Sequence, residues 1–207
     1  MLLNYRRALL DYSLVAGKPL SYVKRKLAYE DIALNLMHED GRNRLLSYYK
    51  QVGENGVFYG LICREDIANI PMKTTIGSDW LMIATLAFLG KVKTLTNVSV
   101  NRQTRENDSL EKLALRLGLS EFQAKYPMLS ISMSAARDIF DNKNYSRLNI
   151  FQKIYLAMKI LILFFQRYQF PKLKHQVVVV VAKTTPKTLY PYFRSIYRLF
   201  SRSTNSI

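Results

Sequence analysis

Residues 57–90 read VFYGLICREDIANIPMKTTIGSDWLMIATLAFLG, and the reading of this stretch decides the fold. Its first part, residues 57–63, is a β-branched and aromatic run with the composition of a short buried strand. A helical turn follows, then a loop carrying Pro71, Thr74, Thr75 and Gly77. Ser78 is suited to cap the next helix, in which Trp80, Leu81, Ala84, Ala87 and Phe88 share a face and which Gly90 closes. Asp79 therefore falls in the first helical turn, where the helix dipole favours its ionised form. An ionised carboxylate at the mouth of a strand–loop–helix unit has the chemistry of a general base. An ordinary helix-start aspartate has the same spacing, and on spacing alone both readings stay open.

The ordered set Phe58-Tyr59-Gly60-Leu61-Ile62-Cys63-Arg64, Gly77-Ser78-Asp79-Trp80 and Ala84-Thr85-Leu86-Ala87-Phe88-Leu89-Gly90-Lys91 resembles the acceptor-side half of family 2 glycosyltransferases. In that family an FYGL-x-R strand, a G-x-D-W loop-to-helix junction, a helix ending LG-K and a strand ending near an arginine follow one another in this order. The resemblance covers residues 45–105. It implies part of a GT-A fold and makes Asp79 the candidate catalytic base of an inverting sugar transfer. It also implies that Gly77, Ser78 and Trp80 shape the acceptor pocket. The family's QxxRW-type signature is absent, since Gln103 is followed by Glu106 and Asn107 at that spacing.

Downstream of Gly90, residues 91–102 alternate Val92, Leu95, Val98 and Val100 with polar residues, as expected of a bulged strand with one wet face. It runs into a polar loop over residues 101–109. The resemblance places such a segment near the donor diphosphate, where Arg102 and Arg105 would offer bidentate donors. A solvated turn with two arginines is the other reading.

Upstream, residues 2–16 have the apolar spacing of a helix that Gly17 and Pro19 would stop. Residues 21–36 mix charges with spaced apolar positions, which predicts a partly exposed helix. His38-Glu39-Asp40 has no ligand-spaced partner, and a solvated loop fits it better than a metal site. Residues 44–52 read as a short helix, and Gly53 and Gly56 bracket the turn that follows. Downstream of the polar loop, residues 110–117 form a helix closed by Gly118. Ser120-Glu121-Phe122-Gln123 has the capping-box pattern, and Pro127 splits or kinks the helix it starts.

Composition changes after Asp141. Residues 142–207 hold 12 Lys and Arg and no acid, so the first 141 residues keep 19 of the 31 basic residues and all 15 acids, a net of +4 out of +16. We therefore expect two parts: residues 1–141, the glycosyltransferase-like part, and residues 142–207, a basic amphipathic tail. Residues 148–169 contain IFQKIYLAMKILILFF. A membrane-spanning helix needs about 20 mostly apolar residues, and lysines interrupt this run. A helix lying in the membrane interface and a buried core helix are both compatible with it. Five consecutive valines from Val177 predict a strand, and Thr185-Pro186 predicts a helix start. Beyond it, Leu189, Tyr192, Phe193, Ile196 and Phe200 form an apolar face. Lys187, Arg194, Arg198 and Arg202 line another, suited to an anionic membrane surface at about 1 kcal/mol per basic residue.

The expected fold is thus α+β, mainly helical with a few short strands. The chain carries no secretory signal pattern, and its single cysteine, Cys63, reads as a buried apolar thiol of a reducing compartment. The expected location is cytoplasmic, peripheral at the inner face of the membrane. No Asp-x-Asp motif and no Gly-rich phosphate loop occur, and 56 residues before the FYGL strand are too few for a donor-binding half. The chain therefore reads as a truncated or split enzyme, inactive alone. Completed by a donor domain, it would move a sugar from a nucleotide-sugar to a sugar or lipid hydroxyl. A divalent metal, Mg or Mn, would enter only with that domain, and this chain itself supplies no metal ligands. The alternative reading is a non-enzymatic basic protein for membrane surfaces or nucleic acid. The amphipathic pattern favours lipid, and no nucleic-acid-binding signature is present.

Overall fold

A computed structural model describes residues 12–103 and 109–169. It is a mixed α/β structure in which helices predominate. In chain order the elements are β1 (Leu14–Val23), β2 (Lys26–Glu30), β3 (Asn35–Leu36), α1 (Gly41–Gln51), β4 (Leu61–Ile62), α2 (Arg64–Ile67), α3 (Ser78–Leu89), β5 (Val92–Gln103), α4 (Leu110–Arg116), α5 (Glu121–Lys125), α6 (Pro127–Asp141) and α7 (Ile150–Phe164). The packing divides the chain into one compact unit that ends at Phe165 and a second that begins at Gln166. The compositional change after Asp141 thus lies inside the first unit, because α7 packs on α6 and α1.

The sheet runs β2-β1-β5-β3, with β4 pairing the start of β1. β1 and β5 pair in parallel; β5 is the strand expected over residues 91–102, whereas β1 occupies residues expected to end one helix and begin another. Their register shifts between Gly17 and Lys18, the bulge anticipated in β5, and such a bulge bends the sheet. This bulge also explains why Gly17 and Pro19, read as helix stops, sit inside a strand. Pro19 has no N–H to give, and its carbonyl accepts the Asp31 N–H at 3.0 Å. Residues 14–16 are therefore strand, not the end of a helix.

A second correction concerns residues 21–36. Up to Glu30 they form a hairpin, not a helix, and beyond it Asn35–Leu36 is β3, paired with β5. The hairpin turns at Lys24 and Arg25, both with positive φ (48° and 67°). This is the type I′ geometry that usually carries Asn-Gly, so the usual sequence signal is missing.

At the centre lies α3, buried from Trp80 to Phe88 on every side rather than along one stripe. Its N-cap is Gly77, at φ +76°, and Ser78 is its first residue, so the expected serine cap moves by one position. A Cβ at Gly77 would lie 2.8 Å from Ile131 of α6, a second reason for glycine there. The C-terminal end of α3 is held by Arg44 of α1, only 5% exposed. Its guanidinium donates to the carbonyls of Ala87 (2.7 Å), Phe88 (2.9 Å), His38 and Glu39.

The expected strand at residues 57–63 is largely a 3-10 turn, Gly56–Tyr59, followed by the two-residue β4. The turn packs on β1, where a Cβ at Gly56 would run into the Pro19 ring. Cys63 consequently caps α2 at a partly exposed position, not in a buried strand. Its thiol donates to the Glu65 carboxylate at 2.9 Å, which pushes the thiol pKa up.

The helical half follows expectation more closely. The α1 helix begins at Gly41 with Asp40 as its cap. Ser120 and Gln123 form the capping box at α5, Gly118 closes α4 at φ +64°, and Pro127 opens α6.

Candidate functional site

Asp79 sits in the first turn of α3, as its spacing predicts, and is partly exposed. Its Oδ2 accepts a hydrogen bond from Asn55 Nδ2 at 2.8 Å. Asn55 is 2% exposed and held in the left-handed region at φ 54°. Tyr48 of α1 donates its hydroxyl to Asn55 Oδ1 at 2.8 Å, which fixes the amide so that its N–H points to Asp79. A carboxylate in this setting receives one side-chain N–H at a partly exposed position.

The loop carrying Asn55 is itself pinned. Asp31 Oδ2 accepts the Gly56 N–H at 2.6 Å, and Asp31 Oδ1 accepts the Glu54 N–H at 3.2 Å. From the other side comes Arg102, at the end of β5. Its Nε donates to Ser21 Oγ at 2.6 Å, its Nη2 to Tyr29 Oη at 2.6 Å and its Nη1 to the Glu54 carbonyl at 3.3 Å. The guanidinium also lies over the Tyr29 ring. Arg102 is 14% exposed in its side chain, and its fork is spent on protein oxygens in this arrangement. Asp79 and Arg102 therefore meet the same short loop through adjacent residues, Asn55 and Glu54.

On the other approach to Asp79, the loop before α3 lies along one face of α6. Lys73 Nζ pairs with Asp138 at 2.8 Å, Thr75 Oγ1 is 3.3 Å from Ser134 Oγ, and Gly77 abuts Ile131. Ile131, Ser134 and Asp138 recur at helical spacing, so a single helix face registers the whole loop. Beneath it, Asn142 Nδ2 donates to Asp138 and to Thr85, whose hydroxyl is 3.1 Å from Tyr145 Oη. Burial, with the Asp138 carboxylate nearby, raises the Tyr145 pKa far beyond the usual phenol range.

Of the residues singled out from sequence, Gly77, Ser78, Asp79 and Trp80 form one junction, and Arg102 is tied to it. Trp80 is 8% exposed, its ring 6.1 Å from that of Phe164, so it is packed rather than lining an open surface. Arg105, Lys187, Arg194, Arg198 and Arg202 lie outside the described residues, as do the expected strand from Val177 and the helix from Thr185. His38-Glu39-Asp40 is a loop in which Asp40 binds Arg42 and Glu39 binds Lys91.

The sequence reading passed over Asn55, Tyr48 and Asp31. The one available signal was an asparagine between Gly53 and Gly56, a residue type that tolerates positive φ. Among the described residues no group of three His, Cys, Asp or Glu side chains is placed to hold a metal ion, and no helix is long and apolar enough to cross a membrane. Compared with family models, curated proteins and solved structures, the chain matches none of them.

Proposed function

We propose that the chain is the acceptor-side part of an inverting family 2 glycosyltransferase, active when a donor-binding half is present in the same polypeptide or as a partner chain. The observation that carries this reading is the junction around Asp79. The carboxylate stands at a helix start, is oriented by Asn55, and shares its supporting loop with Arg102 at the end of β5. These are the positions that the ordered motifs assign to the acceptor side.

In the proposed reaction Asp79 takes the proton of an acceptor hydroxyl. The acceptor oxygen forms its bond to the anomeric carbon as the bond from that carbon to the diphosphate oxygen breaks. The nucleoside diphosphate leaves with the electron pair, and the configuration inverts. Arg102 serves here as a positioning residue that keeps Glu54, and so Asn55, in place. Trp80 supports the junction from within the core. Among the described residues no group of three His, Cys, Asp or Glu side chains is placed to hold a divalent metal, and such an ion would enter with the donor-binding half. A nucleotide-sugar donor and a lone thiol suit a cytoplasmic location.

Calorimetric titration with UDP- and GDP-sugars plus manganese tests the division of labour. The chain alone should show no binding, and joining it to a donor-binding half should restore binding and transfer. Metal-dependent micromolar binding to the chain alone would contradict it.

A further inference from the structure

Helix α7 is apolar on the side it turns away from the protein. Leu156, Ala157, Ile160 and Phe164 pack inward and are buried. Phe151, Tyr155, Met158, Ile162 and Phe165 recur in steps of four and three residues, which puts them on one face. All of them are exposed, Phe151 by 80% and Met158 by 57%. A surface helix of a water-soluble protein normally carries polar residues on this arc. Here polar residues are confined to its border, Gln152 and Lys159, and the Lys159 ammonium lies 5.6 Å from the Tyr155 ring centroid. A lysine whose stem runs along an apolar face and whose charge sits at its margin is the arrangement that suits a lipid headgroup boundary.

We propose that this face of α7 docks on an anionic lipid bilayer, lying in the plane of the interface. Two observations select that occupant. The inner side of α7 is taken up by α6 and α1, so the helix can offer a bilayer one side only and lies on it rather than across it. The sequence from Asn142 onward has 12 basic residues and no acid, which complements an anionic surface. A second copy of the chain fits poorly: the Lys159 that borders each face would find no acid on the other α7, which has none. The inference is independent of the glycosyltransferase reading, since it uses no residue of the Asp79 junction.

The test is co-sedimentation of the full chain with vesicles of phosphatidylcholine alone and of phosphatidylcholine mixed with phosphatidylglycerol. The wild type should bind the mixed vesicles. The triple variant Phe151→Ser, Met158→Ser, Ile162→Ser keeps every charge, and its bound fraction should fall about tenfold. Phe151→Trp retains the apolar face, so it reads the contact even if the triple variant folds poorly. Its added emission should shift to the blue and be quenched by brominated lipid. Equal binding by wild type and triple variant, or an indole at this position that lipid does not quench, would overturn the proposal. So would absence of binding together with dimerisation that the triple variant abolishes, since the occupant would then be a second copy.

Discussion

Asn55 and Asp79 lie 24 residues apart and meet side chain to side chain at 2.8 Å. This contact fixes the one carboxylate at the start of the central helix to the loop that leads into the 3-10 turn. The same asparagine receives the Tyr48 hydroxyl, so three elements converge on a single buried amide.

Asn55→Ala removes that amide and leaves the buried Tyr48 hydroxyl and the Asp79 carboxylate each short of a bond. The variant should lose about 2 kcal/mol of stability in urea unfolding. A loss below about 0.5 kcal/mol would mean that the amide does not organise the junction.

Arg44→Met exchanges a buried guanidinium for an apolar chain of similar length. The carbonyls of His38, Glu39, Ala87 and Phe88 lose the Arg44 guanidinium, while that of Phe88 keeps a second side-chain donor, Arg147 at 3.5 Å. We expect a destabilisation of about 3 kcal/mol, read as a lower denaturant midpoint with an unchanged slope. An unchanged midpoint would show that water replaces the guanidinium at no cost.

The turn at Lys24 and Arg25 places two side chains in a region of φ that disfavours them. Replacing the pair by Asn-Gly should stabilise the protein by about 1 kcal/mol, because the strain of the left-handed conformation is relieved. No gain, or a loss, would argue against a type I′ hairpin.

Tyr49 and Tyr145 are buried, and burial raises both phenol pKa values. The folded state therefore holds these protons after the unfolded chain has released them. Their contribution is fully present below about pH 10 and is lost as pH rises, by up to about 1.4 kcal/mol per pH unit for each phenol. Urea midpoints should fall between about pH 9 and pH 11, with the two phenols ionising only on unfolding. A flat profile over that range would contradict their burial.

The parts of the fold written in local chemistry were legible in the sequence. Ser120 with Gln123, Gly118, Pro127, Gly90 and the alternation in β5 each act on their own few neighbours, so a short window contains the cause. The misread parts depend on distant residues. Pro19 is tolerated in β1 because of a bulge against β5, some eighty residues on. Lys24 and Arg25 accept left-handed backbone because β1 and β2 pair on either side of them. At the site, Asp79 was visible through its position at a helix start. Asn55 was not, because its role comes from Tyr48 and Asp79, which only the folded chain brings to it.

The central claim is that Asp79 removes the acceptor proton, and the direct measurement is sugar transfer by the chain joined to a donor-binding half, with and without Asp79→Asn. The substitution keeps the shape of the side chain and can keep its contact with Asn55, so stability and nucleotide-sugar affinity should stay the same. Turnover should fall by about a thousandfold. Turnover within about threefold of the parent would contradict the assignment and leave Asp79 an ordinary helix-start carboxylate.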